Sequence, residues 1–143
     1  MTKLYPLILI LLASQINLAQ ENCTLKQYVL KFNVIEKNTR HGISAPFIEI
    51  RSGNKTIGFA SGDFDGHAES SICSEKIKKD SITLKVFGIG SAPKIISQKV
   101  NDTTFIQIEV DYGIGPFNNL EERSQFIMKE YKLPFCGLDQ EFK

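Results

Sequence analysis

Apolar and polar side chains alternate at every second residue through most of this sequence, with turn residues at short intervals, and this feature most limits its fold. Tyr28, Leu30, Phe32 and Val34 alternate with Lys31 and Asn33, and residues 38–42 end the run. Ile48 and Ile50 mark the inward side of a second strand, closed by Ser52, Gly53 and Asn54. Residues 55–61 form a third strand, and residues 62–66 turn the chain into a fourth over 67–73. Ile82, Leu84 and Val86 alternate with Thr83 and Lys85. A weaker strand covers 94–100, and Ile106, Ile108 and Val110 then alternate with Gln107 and Glu109. A period of two puts one face of each strand in a core and the other in water. Seven short strands at such spacing predict an all-β fold, a seven-stranded antiparallel β-sandwich.

With 143 residues the chain supports one core-bearing domain and not two. Its 42% hydrophobic and 23% charged residues argue against wholesale disorder and against a coiled coil. The formal net charge of +1 gives no field that would steer it onto nucleic acid, so none is expected as a partner.

Residues 1–19 have the layout of a secretory signal peptide: Lys3, then an apolar stretch over 4–13 that includes Pro6, then a more polar run ending in Ala19. Cleavage after Ala19 leaves Gln20 first and no net charge. Asn17 occupies a place where a small residue is preferred, so a cut a few positions away is the alternative. A membrane-spanning helix needs roughly 20 apolar residues, and no later stretch approaches that, so no integral membrane segment is expected after cleavage. Lipidation at Cys23 is disfavoured because Gln20, Glu21 and Asn22 replace the small and apolar residues that such processing requires. The expected organisation is a signal peptide at 1–19, a sandwich domain at 20–112 and a C-terminal extension with one helix at 113–143. The expected location is exported: periplasmic, cell-surface or secreted.

Oxidising compartments permit disulfides, and the chain has three cysteines, Cys23, Cys73 and Cys136. None belongs to a C-x-x-C pair, which argues against a cysteine-rich zinc site. At most one internal bridge can form, and from the sequence alone all three being reduced remains open.

Catalytic signals are weak. His41 and His67, the only histidines, each sit beside or near a turn, where a solvated side chain is the default reading. There is no G-x-S-x-G, H-E-x-x-H or Walker loop. Gly88-Ile89-Gly90 and Gly113-Ile114-Gly115 superficially resemble phosphate-binding starts, but loop or proline follows each rather than a helix with free N–H groups. Asp63 and Asp65 offer carboxylates to a hard cation. However, an EF-hand loop needs a third ligand before its glycine and a glutamate six residues after it, where Ile72 stands. A tight hairpin needs the same residues for another reason, since Asp bonds nearby backbone and Gly accepts positive φ. Asp63, Asp65 and Gly66 are therefore read as a structural turn, with Glu69 and Glu75 leaving a weak surface cation site as the alternative. No catalytic residue, metal ligand or cofactor is assigned.

Four segments together carry a family resemblance: Val34-Ile35-Glu36-Lys37-Asn38-Thr39, Pro46-Phe47-Ile48-Glu49-Ile50, Gly62-Asp63-Phe64-Asp65-Gly66 and Val86-Phe87-Gly88-Ile89-Gly90. Over residues 26–111 the chain resembles the carboxypeptidase regulatory-like domain, the Asp-x-Asp-Gly turn before a strand being the most specific piece. The resemblance implies a transthyretin-like, seven-stranded sandwich of the kind common in exported bacterial proteins, with no peptidase residues of its own. It also implies that the first and fourth strands are antiparallel neighbours, which makes a bridge from Cys23 to Cys73 the preferred pairing. Cys136 would then be spare, or would pair with either of the others if the tail docks near them.

Departures from the family pattern concern packing. Gly62 replaces a usual Thr, Ala68 and Ser70 replace large apolar residues, and Ser91 replaces a common Tyr. Smaller side chains there imply looser packing or another segment filling the space, and the tail is the candidate filler. Leu120, Ile127 and Tyr131 fall on one side of a helix, Asn119 with Glu122 makes a capping box, and Pro134 ends the run. A short helix over 119–132 is expected.

The function these readings support is a non-catalytic accessory or interaction module that assists an envelope or secreted partner protein. The alternative is a carbohydrate-binding module. That alternative calls for an exposed aromatic platform, yet the chain has no Trp, and only Tyr28, Tyr112 and Tyr131 remain after export.

Overall fold

The computed structural model describes residues 23–133. The expected signal peptide, the cut after Ala19, Pro134 and Cys136 lie outside the described residues. Seven strands are present: β1 (Gln27–Glu36), β2 (Phe47–Ser52), β3 (Lys55–Ser61), β4 (His67–Cys73), β5 (Ser81–Phe87), β6 (Lys94–Lys99) and β7 (Thr103–Val110). A 3-10 turn at Ser74–Lys76 links β4 to β5, and helix α1 (Leu120–Tyr131) follows β7.

The strands form two sheets, β4-β1-β7 and β3-β2-β5-β6. Their inward side chains make the main core, in which Leu30, Val34, Ile48, Ile50 and Leu84 are fully buried. Each of these occupies an apolar position of the alternating pattern, so the core is a direct consequence of the period of two.

One expectation is corrected: the sandwich is not wholly antiparallel. β1 pairs antiparallel with β4 but parallel with β7, with Val29 opposite Thr103 and Glu36 opposite Val110. The four-stranded sheet is antiparallel throughout. Each connection turns the chain back on itself, so odd-numbered strands share a direction. Every other neighbouring pair joins an odd to an even strand, whereas β1 and β7 are both odd. Side-chain alternation is the same in either orientation, so the pattern that revealed the strands carried no information on this point.

The helix begins as its cap residues require. The Asn119 side chain accepts from Glu122 N at 2.9 Å, as an N-cap does. The return bond of the box goes one residue further back than expected, from Asn118 N to the Glu122 carboxylate at 2.8 Å. The helix ends at Lys132, which adopts a left-handed conformation at φ 52°. Ile127 is fully buried against Phe47, Phe87 and Phe117, with Phe59, Tyr131 and Leu133 at the margin. Phe47, Phe59 and Phe87 point away from the main core, so α1 lies on the outer face of the four-stranded sheet and forms a second, smaller core.

The segment leading into that helix fills the space above Ser91. Gly113 N donates to Gly90 O at 2.7 Å, and Gly90 N donates to Phe117 O at 2.8 Å. Ser91 is buried, and a side chain at Gly115 would stand 2.4 Å from Ser91 N, so only glycine permits this approach. The other small residues are accommodated locally. Gly62 abuts the Pro46 ring, Ala68 joins the main core, and Ser70 Oγ donates to Phe59 O at 3.2 Å.

Candidate functional site

The turn between β3 and β4 is organised by one carboxylate. Asp63 Oδ1 accepts from Asp65 N at 2.9 Å and from His67 N at 2.8 Å. The bond from His67 N is the main reason that the Asp63 carboxyl is held below its ordinary pKa, with the bond from Asp65 N contributing further. Asp65 takes part through its main chain, which also lies against Gly42. Gly66 has φ +88°, and its carbonyl accepts from Val34 N at 2.9 Å. A Cβ at Gly66 would lie 2.2 Å from Val34 O. The turn is thus keyed into the end of β1.

The candidate cation ligands do not converge. Glu69 lies on the outer face of β4 with Lys31 Nζ 3.8 Å away. Glu75, beyond the other end of β4, accepts from Leu25 N at 3.0 Å. Among the described residues no three His, Cys, Asp or Glu side chains gather in a way that could hold a metal ion. Both histidines are exposed, and His67 Nδ1 stands 3.8 Å from Asp63 Oδ1. Gly88-Ile89-Gly90 and Gly113-Ile114-Gly115 face one another as the two sides of the packed loop described above.

Cys23 and Cys73 are joined by a disulfide, with their Cα atoms 5.5 Å apart. Gln27 is the register partner of Cys73, so the bridge ties the approach to β1 to the end of β4. Ser74 N donates to Lys26 O at 2.9 Å and extends the same connection.

A polar cluster beneath the helix escaped the sequence reading. Glu49 points outward from β2, yet only 5% of it is exposed because α1 covers it. Tyr131 Oη donates to Glu49 Oε2 at 2.7 Å and Thr56 Oγ1 to Glu49 Oε1 at 2.5 Å, with Arg51 Nε 3.7 Å from Oε1. Burial, and next the bond to Glu49, push the Tyr131 hydroxyl far above its usual pKa. The available signal was Tyr131 on the apolar stripe of the helix, since a buried hydroxyl needs a partner.

The outer face of the three-stranded sheet has no such cover among the described residues. Val29, Lys31 and Asn33 of β1 lie between His67, Glu69 and Ser71 of β4 and the outward residues of β7. Phe105 is 76% exposed there, with Lys31 Nζ 5.5 Å from its ring centroid. The Glu109 carboxyl is held below its ordinary pKa, first by its hydrogen bond from the Arg40 guanidinium and then by the charge of that group.

The chain matches no family model and no curated protein. Among solved structures it is similar to BcpA, the major pilin subunit of Bacillus cereus, at 12% identity and TM-score 0.45, over 61% of this chain and 30% of that one. It is also similar to 5-hydroxyisourate hydrolase of Klebsiella pneumoniae, at 10% identity and TM-score 0.44, over 63% of this chain and 86% of that one. A third is GBS52, the minor pilin of Streptococcus agalactiae, at 13% identity and TM-score 0.42, over 61% and 45%. The chain thus spans less than half the length of either pilin. Matches of this strength carry no argument about activity or partner.

Proposed function

We propose that this chain is an exported, non-catalytic β-sandwich module of the carboxypeptidase regulatory-like type that holds an envelope or secreted partner protein. The observation that carries the reading is the inequality of the two outer faces. The chain's own helix covers the aromatic face of the four-stranded sheet, while none of the described residues covers the face made by β4, β1 and β7, where Phe105 is exposed. Aromatic side chains are enriched at protein contacts, and this one stands on an ordered sheet that none of the described residues covers. The antiparallel pairing of β1 with β4 supports the transthyretin-like part of the reading, and the disulfide supports an oxidising location in the periplasm, at the cell surface or outside the cell. The non-catalytic part is supported by Asp63, whose carboxylate is engaged by its own turn, and by two exposed histidines.

The glycan alternative has less to stand on, because the tyrosines are dispersed: Tyr28 packs on the main core, Tyr131 on the second, and Tyr112 lies at the loop end. The test is crosslinked capture from envelope extract, comparing the exported chain with Ser71→Arg on the open face and Lys129→Ala on the exposed side of α1. One protein captured in stoichiometric amount by the native chain and Lys129→Ala, and lost with Ser71→Arg, supports the proposal. Capture of polysaccharide alone, or capture insensitive to Ser71→Arg, overturns it.

A further inference from the structure

Among the described residues, the free edge of β7 differs from the other three sheet edges in having no defence. Edge strands expose unpaired N–H and C=O groups, and monomeric proteins blunt them with lysine, proline, bulges or cover. β3 begins with Lys55 and carries a bulge at Ile57, since Ile50 pairs with Gly58 and Arg51 with Thr56. β4 is fastened to β3, in the other sheet, through the turn of residues 62–66 and the bond from Ser70 to Phe59 O. β6 is six residues long, with Lys94 and Lys99 at its ends. β7 runs for eight residues, Thr-Thr-Phe-Ile-Gln-Ile-Glu-Val, with no lysine, proline or glycine. No strand of the described residues pairs with its outer side.

The register identifies the groups left open. Val29 N donates to Asp102 O at 2.8 Å and Lys37 N to Val110 O at 3.0 Å, so the even-numbered residues of β7 face β1. The N–H and C=O groups of Thr103, Phe105, Gln107 and Glu109 therefore point outward from the sheet edge.

We propose that two copies of this chain associate through antiparallel pairing of β7 with β7, joining their three-stranded sheets into one of six strands. A strand paired with itself about a twofold axis satisfies the same donors and acceptors on both sides, so the contact closes at two copies. Free groups meet only in registers that set odd residues against odd ones. With Gln107 on the axis, Glu109 of one copy stands opposite Phe105 of the other, beside the Lys31 ammonium that lies over that ring. Each copy then supplies a carboxylate to the other's lysine. A net charge of +1 offers almost no repulsion to self-association. The inference stands independently of which further protein the open face holds.

Sedimentation of the purified exported chain from micromolar to millimolar concentration tests this, together with amide hydrogen exchange at both ends of that range. The expected result is a monomer–dimer equilibrium. Slowing of exchange at high concentration should be confined to residues 103, 105, 107 and 109, while the even residues are protected throughout. Gln107→Pro removes an outward N–H that no β1 group uses, and Gln107→Lys sets two ammonium groups opposite one another on the axis. Both should be monomeric with unchanged circular dichroism, and Gln107→Lys decides alone if the proline variant fails to fold. A chain monomeric at every concentration overturns the proposal and leaves the edge to an extended segment of a different protein. A dimer that persists in the folded variants, or that protects other amides, also overturns it.

Discussion

At the scale of single residues, the β3–β4 turn shows how much one glycine and one carboxylate control. Gly66→Val places a branched side chain at positive φ and against the Val34 carbonyl, so the variant should lose about 3 kcal/mol or more, read as a fall in melting temperature. Unchanged melting would remove the turn assignment. Asp63 acts through its charge as well as its position. Because its folded-state pKa lies below the ordinary value of 3.8, its contribution is fully present above about pH 4 and is lost as the pH falls through the lower folded-state value. Asp63→Asn should flatten that acid limb of the melting curve while leaving stability below the folded-state value near that of the native chain. An acid limb of undiminished slope would assign the effect to other carboxylates. These roles were legible because Asp and Gly are read by their local chemistry, which needs no knowledge of the rest of the fold. Glu49 was not legible. Its neighbours Ile48 and Ile50 place it outward, and only the arrival of a distant helix buries it.

At the scale of elements, α1 belongs to the sandwich through a few contacts that can be removed one at a time. Ile127 is the fully buried side chain of the helix that packs on Phe47 and Phe87, and Ile127→Ala should cost about 2–4 kcal/mol. Tyr131→Phe keeps the ring contacts with Phe47 and Phe59 and takes from Glu49 one of its hydrogen-bond donors, for about 1–3 kcal/mol. Native-state hydrogen exchange distinguishes the level at which these losses act. If α1 opens separately from the sandwich, both variants speed exchange in residues 120–131 and leave β1 and β5 unchanged. Equal acceleration everywhere would make helix and sandwich one cooperative unit. The strands were readable from alternation, and the helix from its cap and apolar stripe. Alternation and capping alone did not give the destination of either kind of element, although the family resemblance placed β1 beside β4. The parallel pairing of β1 with β7 follows from the count of chain reversals, and the docking of α1 follows from outward-facing phenylalanines that a strand pattern treats as solvent positions.

At the scale of the whole molecule, the disulfide acts on the unfolded chain more than on any contact of the folded one. Cys23 precedes β1 and Cys73 ends β4, and the β1–β4 register already brings Gln27 opposite Cys73 without help from the bond. The bridge therefore shapes little that hydrogen bonds have not shaped, and its effect is to close a loop with a sequence separation of 50. Loop closure of that size removes conformational freedom from the unfolded state worth about 4 kcal/mol in the chain-entropy model. The double replacement Cys23→Ser with Cys73→Ser should accordingly lower stability by about 3–4 kcal/mol while preserving the β1–β4 register. Denaturant unfolding with and without a reductant measures the first, and nuclear Overhauser contacts between Gln27 and Cys73→Ser measure the second. Reductant should bring the native chain to the stability of the double variant and leave the variant itself unchanged. Lost register would instead mean that the bond directs the pairing of β1 with β4. The entropic account also separates export from folding: a chain made in a reducing compartment would fold to the same sandwich with a smaller margin, and gain the remainder once oxidised.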